Sequence, residues 1–399
     1  MGVVLVRGGT VVCGNGLVRG TLTADGDQIV AIESSHRAGA TGGVVVDASG
    51  CSVLPGFVDL QVNGAVGVDL TVSPQGIDEV AELLPRCGIT SFMPTVISSP
   101  LDAIDTAVTV VHEWAQRVPA GSRGGARSLG MHVEGPFLNP TRKGAHPAQH
   151  LRVPTQDAAH GWRHDRGVAM VTIAPELDGA LAVIEQLAAA GVVVCAGHTD
   201  ADPAQLELAV AAGARGVTHL FNAMGPMTAR SPGPAGAAMA HPTLIAGLIV
   251  DGIHVDPAMV RLAWRALGPD RLALVSDAMA ALGLAHGTYA IGDTEVVVDG
   301  SGARTAAGVL AGSVLRFDEG VRNLMAFTGC DIVAAARAAS TTPARLAGRA
   351  DIGELAPGRR ADFVILDDEQ RVVLTMVDGR VVWDPDGRCE AAGRAGSGH

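Results

Sequence analysis

The chain has 399 residues, 29 basic against 41 acidic groups for a formal charge of −12, and 48% apolar content. That composition excludes disorder, collagen and coiled coil, and it leaves ample material for a core. The negative charge and an aromatic content of 3% argue against a nucleic-acid binder, which needs a basic surface and stacking platforms.

Residues 1–54 read as short β segments broken by glycine: Val3–Val6, Thr10–Val12, Gln28–Ile32 and Val44–Val46. The opening MGVVLVRGGT has neither a charged n-region nor a long apolar stretch, so it does not read as a signal peptide. No apolar run reaches the ~18–20 residues of a membrane span. The cysteines (Cys13, Cys51, Cys87, Cys195, Cys330, Cys389) are scattered without a CxxC pair, which predicts neither a disulfide framework nor a zinc knuckle. These features predict a soluble, cytoplasmic protein.

From residue 55 to 357 apolar β runs alternate with Ala/Leu-rich stretches. The runs begin near Phe57, Ile89, Leu129, Val168, Val192, Val217, Ile245 and Leu272; helical stretches include Ile77–Cys87, Ala103–Trp114, Leu181–Ala190, Ala204–Ala212 and Ala258–Leu267. Eight mostly continuous apolar runs predict parallel strands covered on both faces, and so an α/β fold built on a (β/α)8 TIM-like barrel. A doubly wound open sheet is the alternative, but no GxGxxG follows the first strand. Next come a hairpin (Tyr289–Val298) and two helices (Ser313–Phe327, Ile332–Ala339). The far end returns to β runs, Ala361–Leu366, Val372–Met376 and Arg380–Trp383, with turn chemistry between them. The expectation is a small β-sandwich subdomain from residues 1–54 plus 358–390, a catalytic barrel over 55–357, and a frayed tail from Arg388, disordered over 391–399.

In such a barrel chemistry collects where strands run out into loops, and there this chain is polar. The strand ends read Asp59-Leu60-Gln61-Val62-Asn63, His132-Val133-Glu134, Gly197-His198, Thr218-His219, Asp251-Gly252-Ile253-His254 and Ser276-Asp277. Glu134, His198 and His219 from three strand ends form a His2Glu set, the layout of a catalytic metal site with one open position. A carboxylate from the last strand, Asp277, would face a metal-activated water as acid/base. The only lysine, Lys143, follows the third strand and so does not supply a carboxylated bridge between two metals. Gln61 and Asn63 are neutral amides, which are poor zinc ligands. One divalent ion is therefore expected; the donor set accepts Zn, Fe or Mn.

The motifs PGFVDLQVNG (Pro55–Gly64), MHVEGPFLNPTRKGAHP (Met131–Pro147), GHTDA (Gly197–Ala201), THLFNAM (Thr218–Met224), DGIHVD (Asp251–Asp256), LVSDAM (Leu274–Met279) and LAGS (Leu310–Ser313) resemble the N-acetylglucosamine-6-phosphate deacetylase family of the amidohydrolase superfamily. GELAPGRRADFVILD (Gly353–Asp367) resembles the superfamily's return to its β subdomain. The resemblance implies Glu134, His198 and His219 as metal ligands, zinc first among the candidates, and Asp277 as acid/base. It implies that His146 contacts the substrate near the acetamide, and that Asn222, Ala223, His254 and Leu310 contact the sugar phosphate. It further implies a homodimer in which Arg230 reaches the neighbouring active site, where a guanidinium suits a bidentate grip on phosphate. The implied reaction is metal-dependent deacetylation of N-acetylglucosamine 6-phosphate. Alternatives are a sibling acting on another N-acetylated sugar phosphate, an N-acyl amino acid or a cyclic amide, an inactive binding scaffold, or a metal-free isomerase barrel.

Overall fold

The computed structural model describes residues 2–14, 16–34 and 43–391. Eight parallel strands form the barrel: Phe57–Val62, Ile89–Ile97, Met131–Glu134, Val168–Ile173, Val193–Ala196, Ala214–Val217, Ile245–Leu248 and Leu272–Leu274. The first, second and fourth are buried at every position, because helices cover the outside and side chains such as Leu60, Met170, Cys195 and Val275 fill the inside. Closure comes at the far end. Val62 bridges Ala278 in parallel sense, and Asn63 N–H donates to the Ala278 carbonyl at 2.7 Å.

The expected helices form, with shifted ends. Pro203–Ala212 starts one residue early because Asp202 and Gln205 make a reciprocal capping box. The helix expected from Ser313 starts at Phe317, since the Ser313 hydroxyl donates instead to the Ser276 carbonyl at 2.5 Å. Ile332–Ala336 continues through a widened turn, Arg337–Thr341, into Thr342–Leu346. The sixth strand begins at Ala214 rather than near Val217. The helix Gly233–Ala240 and the strand Gly16–Asp25 are additional to the expected elements and arise from glycine-containing segments. The hairpin after the eighth strand gains a third strand, giving Gly287–Ile291, Thr294–Asp299 and Gly302–Thr305. Its apolar face (Ile291, Val296, Val298) packs on Ile97 and Met279 at the barrel mouth.

Strands from both ends of the chain make one nine-stranded sheet around its own apolar core, including Val6, Leu22, Val53, Phe363 and Met376. Val3–Cys13 bulges between Val6 and Gly9. Its first half pairs with Val44–Asp47 and its second with Ser52–Pro55. Cys389–Ala391 pairs with Val44–Val46, so the tail expected to fray from Arg388 is ordered as far as Ala391. The rest of that tail, 392–399, lies outside the described residues. The sheet sits under the strand starts: Gly56 N–H donates to the Asp362 carbonyl at 3.0 Å, and Thr375 Oγ1 to the Pro85 carbonyl at 2.7 Å. Arg127 pins the junction, donating from Nη1 to Asp362 at 2.5 Å and from Nη2 to Asp378. No described helix is long and apolar enough to cross a membrane.

Candidate metal centre and active site

A cavity of about 260 Å³ opens at the strand ends, on the side away from the terminal sheet. Glu134, His146, His198, His219, Asn222, Ala223, His254, Asp277 and Leu310 all line it. Arg230 does not; it is exposed in the loop before Gly233–Ala240. Three residues on the wall carried no distinguishing signal in the sequence: Ile97, Ile291 and Val309. Aliphatic residues at such positions look like core.

Four of the site residues hold left-handed backbone, with φ of 50° at His198, 28° at His219, 51° at Ala223 and 52° at Asp277. Each such residue costs on the order of 1–3 kcal/mol and persists only where its surroundings over-determine it. The surroundings here are tight. A Cβ on Gly197 would lie 2.7 Å from Thr172 Cγ2, so only glycine lets the chain turn into His198. Asp277 is held from both sides: its carbonyl accepts Ser313 N–H at 2.8 Å, and Ser276 is held by Asp59. Asp59 accepts from the Ser276 backbone and hydroxyl and from Gln61 N–H. Burial pushes Asp59 up to about 7 against those hydrogen bonds.

Glu134 Oε1 lies 2.8 Å from His219 Nε2 and 3.3 Å from His198 Nε2, and the two nitrogens are 3.1 Å apart. A tetrahedral ion bound at ~2.0–2.1 Å needs donor–donor edges of about 3.3 Å, so the spacing fits. So does the chemistry. His198 Nδ1 faces the Arg142 carbonyl at 2.9 Å, and a carbonyl only accepts, so Nδ1 carries a proton. In the neutral ring Nε2 is then a bare lone pair aimed at a carboxylate oxygen and a second imidazole. A cation between them resolves that repulsion. His219 shows the same pull: burial opposes its charge, yet the Glu134 hydrogen bond outweighs burial and raises it above its usual value. Burial likewise pushes Glu134 up, but its histidine neighbours hold it well below the carboxylate range. Among the described residues, these three are the group whose ligand atoms converge in this way.

The first-strand amides are hydrogen-bond donors to the site. Gln61 Nε2 donates to Glu134 Oε1 at 3.0 Å, and Asn63 Nδ2 to Asp277 Oδ1 at 2.7 Å. Burial and the charge of Glu134 push Asp277 up to about 6, a value suited to moving a proton near neutral pH. His146 Nδ1 accepts Ser98 N–H at 3.2 Å. Burial, with His198 beside it, drives the ring down to about 3, so it is neutral. Its proton is therefore on Nε2, on the side facing Glu134, 3.8 Å from Oε2. Lys143 donates to the Gly144 and His146 carbonyls, both at 3.2 Å, and so secures the loop. Glu176, which carried no motif, ties this loop to the next. It accepts from Asn139, Thr199 and the Asp200 backbone at 2.8, 2.5 and 2.7 Å.

Comparison with known proteins agrees with this architecture. Residues 52–382 match the amidohydrolase family. The N-acetylglucosamine-6-phosphate deacetylase of Bos taurus is 42% identical over 354 residues, 84% of this chain and 85% of that one. The N-acetylgalactosamine-6-phosphate deacetylase of Shewanella sp. (strain ANA-3) is 35% identical, with 84% of each chain covered. A mutant N-acetyl-D-glucosamine-6-phosphate deacetylase from Mycobacterium smegmatis, solved in complex with N-acetyl-D-glucosamine-6-phosphate, superposes with a TM-score of 0.86. It is 35% identical, over 96% of this chain and 100% of that one.

Proposed function

The chain belongs to the amidohydrolase family and, within it, to the N-acetylglucosamine-6-phosphate deacetylases; from that membership we propose that it hydrolyses N-acetyl-D-glucosamine 6-phosphate to D-glucosamine 6-phosphate and acetate. The observation that carries the reading is the meeting of Glu134, His198 and His219 with Asp277 in one cavity.

Glu134, His198 and His219 would hold a divalent metal, which would supply Lewis acidity for activating water and for offsetting negative charge that develops on the acyl group. Asp277 takes the proton of the attacking water on its carboxylate and returns it to the departing nitrogen. An amide nitrogen leaves poorly until protonated, so the return matters as much as the removal. Asn63 occupies one Asp277 oxygen and leaves the other to carry the proton. His146 donates from Nε2 toward the acyl oxygen as negative charge develops there; one such donor is worth on the order of 3 kcal/mol. Asn222, Ala223, His254 and Leu310 on the same wall are our contacts to the sugar phosphate. Zinc is our choice of metal, with iron and manganese fitting the same donors. A single ion per chain is supported by Gln61 and Asn63, whose amides donate to Glu134 and Asp277.

No Lys or Arg among the described residues lines the cavity, so a phosphate dianion meets no permanent cation of its own chain there. That supports a homodimer in which Arg230 serves the neighbouring site. All six cysteines are free, in keeping with a reducing, cytoplasmic setting.

The galactosamine epimer is a second reading, favoured by the Shewanella relative. Acetate release is measured from N-acetylglucosamine 6-phosphate, its unphosphorylated form and the galacto epimer, with and without chelator. The expected result is chelator-sensitive turnover greatest on the phosphorylated gluco substrate. Greater turnover of the galacto epimer would transfer the assignment to that sugar.

A further inference from the structure

The loop after the seventh strand carries a second carboxylate–imidazole pair. Asp251 Oδ2 lies 2.6 Å from His254 Nδ1. Its other oxygen, Oδ1, accepts the backbone N–H groups of Ile253 and His254, both at 2.8 Å. Burial pushes this carboxylate up, but the His254 hydrogen bond and charge outweigh it and hold Asp251 below its ordinary value. An ionised carboxylate only accepts, so the proton between the two side chains sits on Nδ1. Nε2 has no partner among the described residues, and the ring forms part of the cavity wall. His146 is protonated the opposite way, with Nδ1 accepting and Nε2 carrying the proton.

Resting on the deacetylase reading, we propose that Asp251 is a positioning residue for substrate recognition: it commits His254 Nδ1 as a donor, fixes the ring, and leaves Nε2 a lone pair that accepts from a hydroxyl of the sugar. Asp251→Asn separates this role from plain turn-building. The amide oxygen must face the two backbone N–H groups, because an NH2 there would oppose two donors. The NH2 then faces Nδ1, which becomes an acceptor, and the ring moves its proton to Nε2. A carboxylate-to-amide change beside a histidine imposes the wrong tautomer by this same route.

The test compares kcat and KM for wild type, D251N, D251A, H254A and the D251N/H254A double variant, with 15N shifts of the His254 ring in substrate-free protein. We expect kcat/KM to fall about tenfold to a hundredfold in D251N at an unchanged melting temperature. We expect no further loss when D251N is added to H254A, because residues acting through one another are not additive. The 15N spectrum of D251N should show the proton on Nε2. Near-native kcat/KM in D251N, a loss that multiplies in the H254A background, or an unchanged 15N signature would each overturn the proposal. If wild type releases no acetate from the sugar phosphate, the deacetylase reading fails, while the 15N comparison still decides the tautomer.

Discussion

Asn63 Nδ2 donates to Asp277 Oδ1 at 2.7 Å across the seam where the barrel closes. The bond favours the charged carboxylate, whereas burial and Glu134 push Asp277 up to about 6. As the proposed base, Asp277 must be ionised to take a proton, so kcat/KM should rise with pH through its pKa and level off above. Asn63→Ala removes the bond that favours charge, which raises the pKa and moves the acid limb to higher pH. Profiles of kcat/KM against pH for the two proteins check this; a limb that stays in place would disconnect Asn63 from the proton transfer.

Asp277→Asn should keep its metal while kcat falls by roughly 10²- to 10⁴-fold. Elemental analysis and steady-state kinetics on the same preparation test both halves. Near-native turnover would remove Asp277 from the chemistry.

Stripping with a strong chelator should abolish acetate release, and a divalent metal should restore it. Wild type should hold one ion per chain, and His198→Ala should hold less than that. Two tightly held ions by elemental analysis would contradict the donor role of Gln61 and Asn63.

Arg230→Ala and Asp277→Asn should each be nearly inactive alone. Mixed after dissociation and reassociation, they should recover about a quarter of wild-type activity, because half the dimers are mixed and each has one intact site. No recovery from chains that demonstrably exchange would place Arg230 outside the neighbouring active site.

Arg127→Ala should destabilise the protein by about 3–5 kcal/mol, since it leaves two largely buried carboxylates, Asp362 and Asp378, without their shared partner. Arg360 still reaches Asp378, which sets the loss toward the lower end. Urea unfolding measures it, and a change below about 1 kcal/mol, the level of a surface ion pair, would dissociate the pair from stability.

The barrel was legible because strands buried on both faces read as continuous apolar runs, and Val168–Ile173 is buried throughout. The convergence of Glu134, His198 and His219 was legible because a carboxylate and two histidines stand where such runs end. The partnerships of Gln61 with Glu134 and of Asn63 with Asp277 were not, because they join residues 73 and 214 positions apart, and no local pattern records such a pairing. The pairing of Asp251 with His254 escaped for a different reason: a four-residue turn has no periodicity to show which of its side chains meet. The helix Gly233–Ala240 escaped because its glycines and proline speak for a loop, and tertiary packing of Ala235, Ala238 and Met239 overrides them.

In the terminal sheet Phe363 stands opposite Pro55 and Leu366 opposite Ser52. On the ribosome, Ser52–Pro55 therefore waits for a neighbour made roughly 300 residues later, about 15–60 s at ordinary rates of synthesis. For that interval it offers an open strand edge to any passing chain. A nascent chain halted before Phe363 would keep that edge unpaired, so aggregation of truncated products should begin at the start of the polypeptide rather than at its broken end.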